Sequence, residues 1–181
     1  MGAKLFFIDE TRHCKEHNNP FNALLRKAHI LRKSVPTKSD DLIWQEFGDL
    51  QRLFEALLNK SLLAEKNIGT DIFMCSSYVA SLLAKTGSSI PKSWYAIDYI
   101  LEGYENDDPF VLQDGADVCF LLYSLYPARC NRRSMKTEDY ATMGENLYYG
   151  YYAKTGREIG YYMSNLFELM ADTTAKCIAN L

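Results

Sequence analysis

The chain has 181 residues, 48% hydrophobic and 24% charged, with a formal net charge of -3 at pH 7. This is the composition of one globular domain that can bury roughly 70% of its unfolded surface, which excludes an intrinsically disordered chain and removes any need for a metal or disulfide staple. So small a net charge also excludes a global attraction to nucleic acid or to an anionic membrane, so that only local patches can provide electrostatic contacts.

Residues 1–19 read as an irregular arm on a single helical domain spanning 1–181. Their one apolar run, Leu5 to Ile8, is too short for a secretory signal and is followed at once by Asp9 and Glu10. Pro20 to Lys33 reads as a helix through Phe21, Leu24, Leu25, Ala28 and Leu31, ended by Pro36. A further helix starts near Asp40 and Asp41, whose charges suit the positive end of the helix dipole. Ile43, Phe47, Leu50, Phe54 and Leu57 give it one apolar stripe. Ile72, Cys75, Val79 and Leu82 predict the next helix, with Gly87 expected as a left-handed C-terminal cap. Trp94, Ile97, Leu101 and Tyr104 repeat the same spacing, and Gly103 is expected to open an acidic loop. Pro109 suits the first turn of the following helix. Gly115 is expected to split that helix, with Asp114 capping a second segment through Val118, Leu121, Leu122 and Leu125.

The basic stretch from Arg129 to Lys136 loses periodicity and reads as a loop, after which Thr137 caps a new helix. Residues 148–162, rich in tyrosine, admit either two helices joined at Gly156 or a short β-hairpin. Gly156 and Gly160 make a small-residue pair suited to close helix packing. Ile159, Met163, Leu166, Met170, Thr173 and Cys177 predict one long C-terminal helix. The expected fold is therefore an all-α bundle of about six helices. Most of the nine Phe and 13 Tyr residues are assigned to its core and rim.

Few motifs carry chemistry. His13, Glu16 and His17 fit H-x-x-E-H, a spacing that puts two imidazoles on one helix face, but Asn18, Asn19 and Pro20 break the platform and no third zinc ligand is evident. Glu10 and His13 form one E-x-x-H where a di-iron site needs two. No phosphate loop and no nucleophile elbow occurs. No metal site and no cofactor is expected.

The five cysteines are odd in number, are scattered and include no C-x-x-C pair, which favours thiols in a reducing, cytoplasmic setting. Cys75, Cys119 and Cys177 fall on apolar faces. Cys130 is the candidate reactive thiol, because Arg129, Arg132 and Arg133 would stabilise its thiolate. Two clusters free of acids, Arg26, Lys27, Arg32 and Lys33 in one and Arg129, Arg132 and Arg133 in the other, are the candidate anion-binding residues. The acid-rich residues 102 to 117 offer them alternative partners inside the fold.

On balance the sequence points to a non-catalytic helical binding protein that works through protein–protein contacts as an adaptor, a regulatory factor or an assembly subunit. A nucleic-acid or phosphate-binding helical protein using the two Arg/Lys clusters comes second, and a metal-dependent hydrolase third. The expected partner is a protein, with nucleic acid as the alternative. Homo-oligomers are compatible with this composition and no membrane is expected: the longest apolar stretch, Phe120 to Tyr126, is far below the roughly 20 residues a spanning helix needs.

Overall fold

Pro109 begins a helix that is buried over most of its length. The computed structural model describes residues 42–88, 91–130 and 135–179. In chain order they form α1 (Leu42–Ala64), α2 (Thr70–Ser88), α3 (Ala96–Glu105), α4 (Pro109–Leu125), the single turn α5 (Pro127–Cys130), α6 (Thr137–Thr155), α7 (Glu158–Asn165) and α8 (Phe167–Ala179). No strand occurs among the described residues, so the fold is all-α.

Asp108, not Asp114, caps α4, its side chain accepting a hydrogen bond from the Phe110 N–H at 2.9 Å, with Pro109 at the first helical position. The helix then runs unbroken through Gly115. Leu112, Ala116, Val118, Cys119, Phe120, Leu121, Leu122 and Leu125 are buried around its circumference, as a central helix apolar on every side requires. It packs against α3, α6 and α8.

Small residues set the approach of α3. A Cβ on Gly103 would lie 2.5 Å from Leu112 Cδ2, and a Cβ on Gly115 would lie 2.7 Å from Tyr99 Cβ. Each helix thus offers a glycine to the other's bulky side chain. Gly103 is buried inside α3 and does not open a loop. Ala96, Tyr99 and Gly103 form the inward face, which leaves Ile97, Leu101 and Tyr104 outward, and Trp94 sits before the helix, edge-on to the Tyr126 ring at 5.3 Å.

α2 also runs past its expected stop: Gly87 lies within the helix, and among the described glycines only Gly156 has positive φ. Residues 148–162 are two helices, not a hairpin. Tyr148 and Tyr151 point into the core with helical spacing, and Gly156, at φ +69°, ends α6 with its N–H donating to the Tyr152 carbonyl at 2.7 Å. Gly156 therefore serves the turn, whereas Gly160 serves packing, since a Cβ there would meet the Tyr148 carbonyl oxygen at 2.8 Å. Lys136, not Thr137, precedes the first turn of α6, and its backbone N–H donates to Asp139 Oδ2.

The long C-terminal helix is divided at Leu166. Ser164 Oγ and Asn165 Nδ2 both donate to the Tyr161 carbonyl, at 2.8 and 2.7 Å, and so compete with the backbone for the acceptor that would continue the helix. Beyond the break Phe167 is fully buried, edge-on to Phe120 and Tyr123. α8 returns to α1, where the Cys177 thiol faces the Leu57 carbonyl and Lys176 pairs with Glu65 at 2.9 Å.

Candidate functional site

The two faces of α3 border two distinct features. Ile97, Leu101 and Tyr104 are 53%, 54% and 58% exposed and succeed one another at four- and three-residue steps, a row along one side of the helix. The row ends at an aromatic corner. Lys154 stands 5.8 Å from the Tyr104 ring centre and pairs with Asp107, while the Arg157 guanidinium lies 5.3 Å from the ring of Phe110, itself half exposed. Segment 96–117 carries seven carboxylates and neither Lys nor Arg; Asp117 is buried and Asp114, Glu102 and Asp107 face lysines, so the acids beside the row with no described ion pair are Asp98, Glu105 and Asp108.

Beneath the inward face lies a cleft of about 280 Å³ bounded by α2, α3 and α4. Leu82, Val111, Val118 and Leu121 provide apolar walls, and Asp117 lines the cleft while remaining only 9% exposed. The phenols of Tyr78, from α2, and Tyr148, from α6, each donate to Asp117 Oδ1 at 2.6 Å, and Gln113 Nε2 donates to the Tyr78 oxygen at 2.8 Å. These short bonds to one charged oxygen are of the strong, charge-assisted kind. Burial pushes the Asp117 carboxyl up to about 6, against the pull of the two phenols toward the ionised form. Burial, and then the charge of Asp117, raises both phenols well above the usual tyrosine range, so they remain donors at neutral pH.

At the rim Lys85 lies 3.9 Å from Asp114, and Lys92 meets Glu102 at 2.7 Å. The described ion pairs of the acid-rich region go to Lys85, Lys92 and Lys154. Arg26, Lys27, Arg32, Lys33, Arg132 and Arg133 lie outside the described residues, as do His13, Glu16, His17 and the expected helix from Pro20 to Lys33. Arg129 and Cys130 belong to the α5 turn, but their side chains are likewise outside what is described. Cys75 is buried, and burial with the nearby Asp71 charge raises its thiol to about 12, which fits a packing role.

Asp117, Tyr78 and Tyr148 were not singled out in the sequence. The available signal was a lone carboxylate in the apolar run Ala116 to Leu122, since an acid is seldom buried without partners. Compared with protein-family models, characterised proteins and solved structures, the chain matches none. Among the described residues no helix is long and apolar enough to cross a membrane, and no three His, Cys, Asp or Glu side chains group to hold a metal ion.

Proposed function

We propose that this chain is a non-catalytic helical binding protein, an adaptor, regulatory factor or assembly subunit, whose protein–protein contact is made by the outward face of α3. The observation that carries the reading is the row of Ile97, Leu101 and Tyr104, each more than half exposed along one helix. Fully burying such a side chain is worth roughly 1.5–3 kcal/mol, and the exposed half of that is available to a partner. The acids beside the row select the occupant: an amphipathic helix with an apolar face and Lys or Arg at its edges. Tyr104 and Phe110, with Arg157 beside them, are the residue types that anchor such contacts. A cytoplasmic location belongs to the same reading and is supported by Cys75, Cys119 and Cys177 being thiols.

The test uses a synthetic helical peptide of about 18 residues, or five turns, with a leucine stripe and lysines elsewhere, and a second peptide with glutamate replacing lysine. Fluorescence anisotropy with the full chain is expected to give micromolar affinity for the lysine peptide and at least about tenfold weaker binding of the glutamate peptide. Leu101→Asp is expected to weaken binding at least about tenfold without altering the circular dichroism spectrum, because Leu101 is on the surface. Equal affinity for the two peptides, or indifference to Leu101→Asp, contradicts the proposal.

A further inference from the structure

We infer that the cleft beneath α3 is a binding site for a small organic cation, a primary amine on a short apolar body, with its ammonium held by Asp117 Oδ2. The buried carboxylate is asymmetrically satisfied. Both phenols donate to Oδ1, and among the described residues no donor reaches Oδ2, although Asp117 lines the cleft. Gln113 fixes the direction of the relay: by donating to the Tyr78 oxygen, it commits the Tyr78 proton to Oδ1. The free oxygen calls for a donor, and a carboxylate nine-tenths buried calls for a cationic one.

The rest of the lining narrows the class. Lys92 pairs with Glu102 and Lys85 lies 3.9 Å from Asp114, whereas among the described residues no ion pair reaches Asp117, on which the Lys85 charge acts only from a distance. An anionic ligand would face the Asp117 charge, whereas an ammonium would neutralise it. Leu82, Val111, Val118 and Leu121 suit an alkyl or aryl body and offer nothing to a strongly hydrated metal ion, and among the described residues no three His, Cys, Asp or Glu side chains group to hold one. A volume of about 280 Å³ is at the small end of ligand sites, which run from roughly 300 Å³ upward, so the body is short.

Protonation links the site to pH. The groups facing Asp117 are Tyr78 and Lys85 from α2, Asp114 from its own helix and Tyr148 from α6, with Lys92, Tyr99 and Glu102 across the cleft. Burial raises the phenols of Tyr78, Tyr99 and Tyr148, the hydrogen bond to Glu102 raises Lys92, and Asp117 is the carboxyl that burial raises to about 6, so acidification acts on the site by protonating Asp117.

The probes are phenethylamine, 2-phenylethanol, phenylacetate and potassium ion, each titrated into the full chain by isothermal calorimetry. Phenethylamine is expected to bind one per chain with Kd below about 1 mM, and the alcohol and the acid at least about tenfold more weakly. Amine affinity is expected to fall about tenfold between about pH 7.5 and about pH 5. Asp117→Asn removes the charge while keeping the shape, and Val111→Phe fills the cleft without touching Asp117; each is expected to weaken the amine at least about tenfold with an unchanged circular dichroism spectrum. If Asp117→Asn does not fold, Val111→Phe decides the matter. Absence of amine binding, an alcohol that binds as well as the amine, tight binding of potassium or phenylacetate, or amine binding indifferent to the folded variants overturns the inference.

Discussion

Asp117 is the residue on which the interior chemistry turns, and it makes stability depend on pH in the direction opposite to most carboxylates. Burial raises its carboxyl to about 6 in the folded protein from an ordinary 3.8. Between these values the folded state holds a proton that the unfolded state has released. The resulting stabilisation is complete below about 3.8 and is lost as pH rises through about 6, amounting to up to about 3 kcal/mol at 1.36 kcal/mol per unit. Asp117→Asn lacks this dependence. Urea unfolding of both proteins at about pH 4 and about pH 7 is expected to show the variant gaining on the native chain by up to about 3 kcal/mol as pH rises. A constant difference would mean that Asp117 is not held where the Tyr78 and Tyr148 geometry places it. In the sequence only the isolation of this acid within an apolar run was legible. Its partners come from helices 39 residues before and 31 residues after it, and no local pattern reports such distances.

At the scale of elements, periodicity predicted where helices lie better than which way they face. The spacing of Ile97, Leu101 and Tyr104 did mark a helix, but Ala96, Tyr99 and Gly103 are equally periodic and took the inward position, because small residues let α3 and α4 approach until Leu112 and Tyr99 fill the glycine gaps. Size decided burial there, not hydrophobicity. Continuity escaped the sequence for a related reason: Gly115 and Gly87 sit inside helices, while the stop at Leu166 comes from hydrogen bonds of Ser164 and Asn165 that a hydrophobic stripe does not register. Two glycines with nearly identical neighbours make this testable. A Cβ on Gly150 meets Leu112 Cδ1 at an ordinary 3.5 Å, so Gly150→Ala is expected to stabilise by up to about 1 kcal/mol through helix propensity. A Cβ on Gly160 meets backbone atoms of α6 at 2.8 and 3.0 Å, and Gly160→Ala is expected to cost about 1–3 kcal/mol through overpacking. Thermal unfolding that moved both variants in the same direction would refute the packing of α7 on α6.

For the molecule as a whole, the all-α class followed from apolar stripes and caps alone, whereas the contact surface did not, since an outward stripe and an inward one look alike in sequence. Its electrostatics were legible in part: the run of acids from Asp98 to Asp117 is plain, but its matching to Lys85, Lys92 and Lys154 depends on the tertiary arrangement. What remains is an apolar row beside Asp98, Glu105 and Asp108, the acids of the run with no described ion pair. Charge so placed guides the approach of a basic partner, while the buried apolar row determines how long it stays. The most direct measurement is therefore the binding kinetics of the lysine-rich helical peptide, followed by stopped-flow fluorescence at low and at physiological salt, on the native chain and on Leu101→Asp. The association rate is expected to drop about tenfold or more with salt while the dissociation rate scarcely moves, and dissociation from Leu101→Asp is expected to be much faster. A salt effect carried by dissociation, or a Leu101→Asp protein that holds the peptide as long as the native chain does, would contradict it.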